Sequence, residues 1–103
     1  MMIMSVLTET FGETPLVKAI DFFLTFREFE YSKTQVADEI GTSRTTIDKV
    51  WPRLVKNGII AKTRSIGKAQ LYRLNAKNPR VKSLIEMDIK ISFYMASANP
   101  TIS

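Results

Sequence analysis

SKTQVADEIGTSRTTIDKVWPRLVKNGII, running from Ser32 to Ile60, reads as two short helices joined by a glycine-centred turn. The first helix is expected to open at Ser32. Its hydroxyl can accept from the backbone N–H of Gln35, and the Gln35 side chain can reach back to the Ser32 N–H, the reciprocal pair of a Ser-x-x-Gln capping box. Val36, Ala37 and Ile40 then fall on one helical face. Gly41 ends that helix, because a residue without Cβ takes the left-handed conformation at little steric cost. Thr42 and Ser43 follow, and either can cap a second helix. In that helix Ile47, Val50, Trp51, Leu54 and Val55 recur at three- and four-residue spacing and form the expected buried stripe. Arg44, Thr45, Thr46, Lys49 and Arg53 are left for the solvent side.

Two helices joined by such a turn occur in many small helical domains, so the segment that follows carries weight. Asn57-Gly58 closes the second helix and Ile59-Ile60 opens an extended run, of which Ala61 to Ser65 reads AKTRS. Ile66-Gly67-Lys68 turns the chain into a second run, Ala69 to Leu74. Ala69, Leu71 and Arg73 alternate with Gln70, Tyr72 and Leu74, and so short a run leaves both parities open for the inward face. A hairpin with a cationic tip, placed directly behind the second helix, has the position of a wing. The helix spacing is that of a helix-turn-helix, whose second helix enters the major groove with its N-terminal residues against base edges.

Residues 14–75 resemble the winged helix-turn-helix domain of MarR-like and ArsR-like transcription regulators, and the phrase Ser43-Arg44-Thr45-Thr46-Ile47 through Leu54-x-x-x-Gly58-Ile59-Ile60 is typical of it. A longer similarity runs from Phe11 to about Ser92. It includes Tyr31-Ser32-Lys33-Thr34, Val50-Trp51-Pro52 and Asn78-Pro79-x-Val81-Lys82, and resembles small archaeal winged-helix proteins. The resemblance implies a mainly α chain with a small β-hairpin wing, an α+β class, and double-stranded DNA as a partner.

Charge supplies an independent check. The net charge is +5, but residues 41–82 carry eleven Lys or Arg against Asp48 alone, a local +10. Residues 1–40 sum to −4 and residues 83–103 to −1. The basic block therefore coincides with the second helix and the wing, as a phosphate-facing surface requires.

At 103 residues and 45% hydrophobic content the chain supports one core. It has no cysteine and no histidine, which removes disulfides, thiolate and imidazole metal sites, and His-based catalysis. No paired acid and base is visible either, so neither enzymatic activity nor a cofactor is expected. The apolar start, MMIMSVL, is too short for a membrane span and lacks a charged secretory start, so a cytoplasmic location is expected.

Residues 1–13 are expected to be an N-terminal arm or short helix, with Ile3, Leu7 and Phe11 four apart. Pro15 suits the first turn of the next helix, where its missing N–H costs nothing. Leu16, Ala19, Ile20, Phe23, Leu24 and Phe26 give that helix its apolar stripe, widened by Phe22 and Phe29. Such a cluster of aromatics fits core packing better than a ligand pocket. Tyr31 is expected to add a short third strand beside the wing. Pro52 lies inside the second helix of the motif and removes its hydrogen bond to the Asp48 carbonyl, so that helix is expected to bend or restart there.

Within the motif, Arg44, Thr45, Thr46 and Lys49 are the candidate base readers, since Arg is best suited to bidentate contact with guanine. Ser32, Lys33, Thr34 and Ser43 lie at helix N-termini, where N–H groups and hydroxyls hold phosphates. Arg53 could touch the flanking backbone, as could Lys56, while Arg64 and Lys68 belong to the wing.

Asn78-Pro79 opens a last helix. Val81, Leu84, Ile85, Ile89, Phe93 and Ala96 form its apolar strip, and Met87, Ile91, Tyr94 and Met95 spread it around the circumference. So wide an apolar surface needs a second cover. That cover is either the same helix of a second protomer or the N-terminal segment of the same chain.

The expected organisation is an arm or short helix at 1–13, a winged helix-turn-helix DNA-binding domain at 14–76, a C-terminal dimerisation helix at 77–97 and a disordered tail at 98–103. The function expected from it is sequence-specific binding of double-stranded DNA by a homodimeric transcriptional regulator. In that reading the recognition helix, 43–57, lies in the major groove and the wing, 61–74, lies on the backbone or minor groove. A winged-helix protein-interaction module of a transcription or replication complex is the alternative. No residue pattern marks a site for a small-molecule effector.

Overall fold

The computed structural model describes residues 6–98. They form α1 (Val6–Phe11), α2 (Pro15–Thr25), β1 (Tyr31–Ser32), α3 (Lys33–Ile40), α4 (Arg44–Lys56), β2 (Ile60–Ile66), β3 (Ala69–Leu74) and α5 (Pro79–Ala98). The chain is thus mainly α with a small antiparallel sheet of order β1-β3-β2, an α+β winged-helix arrangement.

Local sequence fixes most helix ends. Thr14 caps α2, its side chain accepting from the Val17 N–H at 3.3 Å, with Pro15 in the first turn. Ser32 and Gln35 exchange both hydrogen bonds of a capping box, at 2.8 and 3.2 Å, and start α3. Gly41 closes it in the left-handed conformation, φ +72°, as Thr42 N–H reaches back to the Ala37 carbonyl. The end of α4 repeats the device. Gly58 has φ +70°, and the N–H groups of Ile59 and Gly58 bond the carbonyls of Leu54 and Val55, the two bonds of a Schellman motif.

Phe23, Leu24, Val36, Ile47, Leu54, Ile60 and Val81 are the largest fully buried side chains, drawn from α2, α3, α4, β2 and α5. The aromatic centre of this core is Phe23, which contacts Phe22, Tyr31 and Trp51 at centroid distances of 5.7, 6.4 and 5.9 Å. Two members of the expected α2 stripe lie outside it: Phe26 is 40% exposed and Phe29 58%. Helix α2 stops at Thr25 and Phe26 takes φ −111°, so the helical period no longer directs these side chains inward, and Phe22 fills the place instead.

Helix α4 is continuous from Arg44 to Lys56 with Pro52 inside it, so of the bend or restart expected there the restart does not occur. Pro52 and Asp48 are both exposed residues, so the missing hydrogen bond falls on the solvent side of α4. Val55, assigned to the buried stripe, is 41% exposed. At ~100° per residue it lies at the edge of the arc centred on Ile47, Val50 and Leu54.

Leu74 and Tyr72 give the hairpin its inward parity. Leu74 is buried, and Tyr72 packs edge-on against Trp51 of α4 at 5.2 Å. The Trp51 indole N–H is buried there with no acceptor among the described residues. Tyr31 pairs with Tyr72 and Ser32 with Leu71, so β1 is the third strand expected from the sequence.

Asn78 locks α5 to the end of α4. Its amide donates to the carbonyls of Asn57 and Gly58 at 3.1 and 2.9 Å, and its Oδ1 accepts from the Arg80 N–H at 2.9 Å. Helix α5 then packs on α1 and α2. The short N-terminal helix contributes Leu7, 5% exposed, to the same core. Ile3 and residues 99–103 of the expected tail lie outside the described residues, whereas Ala98, the first residue of that tail, still belongs to α5.

Candidate nucleic-acid interface

The outer arc of α4 is built by exclusion. Burying Ile47, Val50, Trp51 and Leu54 turns Thr45, Lys49, Pro52 and Lys56 directly outward, with Arg44 and Arg53 on the two flanks. Arg44, Thr45, Lys49 and Arg53 are all exposed and meet no carboxylate among the described residues. Lys68 stands in the two-residue turn Gly67-Lys68 at the tip of the wing, also without an acidic partner among them.

The other sequence candidates have their side chains engaged. Ser43 accepts from the Thr46 N–H at 3.1 Å and its hydroxyl donates to the Thr46 hydroxyl at 2.9 Å, so both residues are committed to the helix cap and Thr46 is half-buried. Ser32 is occupied by its capping box, whereas Thr34 beside it is exposed. Lys33 pairs with Asp48 at 2.7 Å, and Arg64 pairs with Glu30 at 2.8 Å. Asp48 is the single acid of residues 41–82, so the Lys33 pairing neutralises the one negative charge on the exposed face of α4.

The wing is not a flat ribbon. Lys62 stands opposite Tyr72 but Arg64 stands opposite Leu71, which places a β-bulge at Thr63. Cross-strand partners share a face. Lys62 therefore lies on the Tyr72 side, toward α4, and Arg64 on the reverse side with Leu71 and Arg73. Lys62 was not singled out from the sequence, because alternation alone gives no sign of where a bulge falls.

That reverse side forms an open cleft of about 720 Å³ whose lining includes Phe29, Glu30, Gln35, Arg64, Ile66 and Arg73. The Glu30 carboxyl is held below its ordinary value of 4.5, chiefly because the Arg64 guanidinium donates to it, with partial burial opposing. Arg64's charge, Thr63 and Arg73 add to the lowering.

The last helix divides in two. Val81 is completely buried against its own chain, so it belongs to the monomer core and is not available to a partner. Leu84 and Ile85 are half-buried on that same core. Ile89, Phe93 and Tyr94 are 52%, 73% and 72% exposed. Arg27 and Asp88 lie 3.9 Å apart beside the packed part, and Ile91, a turn further on, is still half-buried.

No described helix is long and apolar enough to cross a membrane, and the described residues contain no acidic cluster suited to a metal ion. No protein-family model and no curated protein matches the chain. Solved structures do. Reduced HlyU from Vibrio cholerae superposes with a TM-score of 0.57 at 17% identity, covering 80% of each chain. Lactococcus lactis ZitR in complex with DNA gives 0.54 at 16% identity over 80% of this chain, which spans 59% of ZitR's length. A homodimeric winged helix-turn-helix DNA-binding domain from Mycobacterium bovis, described as a possible ArsR-family transcriptional regulator, gives 0.54 at 16% identity over 100% of this chain and 97% of that one. Together with the β1-β3-β2 sheet and the α3-turn-α4 geometry, these likenesses establish the fold of the chain as a winged helix-turn-helix.

Proposed function

We propose that the chain binds double-stranded DNA sequence-specifically as a homodimeric transcriptional regulator rather than as an enzyme. The observation that carries this reading is the outer arc of α4. Arg44, Thr45 and Lys49 stand exposed on its first two turns without a carboxylate partner, inside a block of charge +10. Arg44, Thr45 and Lys49 read base edges in the major groove. Thr34 and the capped starts of α3 and α4 hold flanking phosphates, as does Arg53, and Lys62 and Lys68 carry the wing to the adjacent backbone or minor groove. Ser32, Ser43 and Thr46 serve this surface by fixing the two helix starts, and Lys33 serves it by masking Asp48.

A second protomer covers the C-terminal half of α5. Ile89, Phe93 and Tyr94 form the apolar surface of that contact, with Leu84 and Ile85 at its inner edge. The ZitR complex with DNA and the homodimeric mycobacterial domain support both parts of the proposal by likeness of fold. A two-fold pair presents two recognition helices to half-sites about 34–36 Å apart. Selection of bound sites from random duplex DNA tests this directly. The expected product is a pseudo-palindrome with half-sites about 10 base pairs apart centre to centre, and the absence of any enriched motif contradicts it.

A further inference from the structure

The bulge at Thr63 decides what Arg64 can reach. In a regular strand Arg64 would follow Lys62 by two positions and share its face of the wing, toward α4. The extra residue turns it to the opposite face, and the Thr63 hydroxyl donates to the Leu71 carbonyl at 3.2 Å, holding the irregularity in place. On that face the Arg64 Nε–H donates to Glu30 Oε1 at 2.8 Å. The two partners are unequal: the Glu30 side chain is 26% exposed and that of Arg64 is 62% exposed. Glu30 lies in the segment that joins α2 to β1, one residue before the strand that pairs with β3, so the acid is anchored to the body of the domain. Arg64 sits on the outer strand of the sheet, and its guanidinium is the half that water and other anions can approach.

A carboxylate and a phosphate offer a guanidinium the same acceptor chemistry, so two anions compete for one cation here. An exposed pair of this kind yields readily to a competitor. We propose that Glu30 acts as an internal substitute for a DNA phosphate, holding Arg64 against the domain in the free protein and giving it up when the wing meets duplex DNA. This rests on the DNA-binding reading above. Glu30 is then a positioning residue that lowers affinity for arbitrary duplex. The wing engages with its full charge only where contacts made by α4 hold the DNA long enough for the exchange.

The test measures binding of the full chain to a random-sequence duplex across a range of salt, for the wild type, Glu30→Gln, Arg64→Ala and the double variant. Glu30→Gln is expected to bind about three- to tenfold tighter at low salt, with a log–log salt slope steeper by about 0.9, one additional phosphate contact. The double variant is expected to match Arg64→Ala, because the gain passes through that guanidinium. Glu30→Gln binding no tighter than a wild type that does bind overturns the exchange and leaves the DNA-binding reading intact. A gain that survives in the Arg64→Ala background also overturns it, since the effect is then plain removal of a negative charge. Tighter binding by Glu30→Gln alone, with no wild-type binding detected, supports the exchange. Failure of both proteins to bind overturns the exchange and the DNA-binding reading together.

Discussion

Lys33 Nζ lies 2.7 Å from Asp48 Oδ1, so the first residue of α3 holds the only acid that residues 41–82 contain. Both side chains are well exposed, 41% and 50%, and the pair contributes at most about 1 kcal/mol to folding. Its consequence is for binding. Lys33→Ala should leave Asp48 uncovered beside the proposed phosphate path and weaken duplex binding about tenfold, the order expected from one lost cation and one exposed anion. Asp48→Asn should restore more affinity in that background than it adds to the wild type. A double-mutant cycle in binding free energy reads this coupling, and strict additivity contradicts it.

Gly58 joins two requirements at one position. Its φ of +70° strains any residue with a Cβ, and a Cβ built there would sit 2.8 Å from the Asn78 amide nitrogen, which is itself bonded to the carbonyls of Asn57 and Gly58. Gly58→Ala should therefore cost at least the about 1–2 kcal/mol of a left-handed non-glycine residue. Combining it with Asn78→Ala should cost less than the sum of the single changes, because the second substitution removes the clash. Urea unfolding midpoints measure all three.

Glu30 should titrate below the ordinary carboxylate value of 4.5, because Arg64 donates to its charged form. A depressed folded-state value means the stabilisation from this pair is fully present above the unfolded value and is lost as pH falls through the folded one. Arg64→Ala should move the titration back up toward 4.5. Carbon-detected NMR of the Glu30 side-chain carboxyl reads the shift, and a midpoint indifferent to Arg64 contradicts the pairing. Thr63 and Arg73, the other groups facing Glu30, remain in that variant and should hold back part of the return.

Features set by a few neighbouring residues were legible in the sequence, and features set by distant partners were not. The Ser32-Gln35 box, the Gly41 turn and Pro15 in the first turn of α2 each follow from side-chain chemistry within a few positions, and the strand at Tyr31, which pairs with the distant Tyr72, is the exception. The bulge at Thr63 depends on where β3 lies, so alternation could neither reveal it nor show that Arg64 and Lys62 face opposite ways. The partners of Lys33 and Arg64 are 15 and 34 residues away in sequence, so neither the helix-start position of Lys33 nor the basic run around Arg64 reveals them. Val81 belongs to the same periodic strip as Phe93, yet one is buried and the other 73% exposed. Periodicity gives the face of a helix and not how far along it the core extends.

The division of α5 separates two outcomes for substitutions on that strip. Ile89→Asp with Phe93→Asp should convert the proposed dimer to a folded monomer, since both side chains are exposed in the single chain. Val81→Asp should unfold the chain by placing an unpaired charge in the core. Sedimentation together with circular dichroism distinguishes the two. A wild type that sediments as a monomer contradicts the proposed interface.

Duplex binding as a function of salt tests the proposed role of α4 and the wing most directly. Affinity should fall linearly on a log–log plot with a slope of about −0.9 for each phosphate contacted. Arg44→Ala should narrow the gap between selected and random duplex, and Lys68→Ala should weaken both equally and make the slope shallower by about 0.9. Undetectable binding of the intact protein to any duplex at about 50 mM salt, where such contacts are strong, would contradict the account.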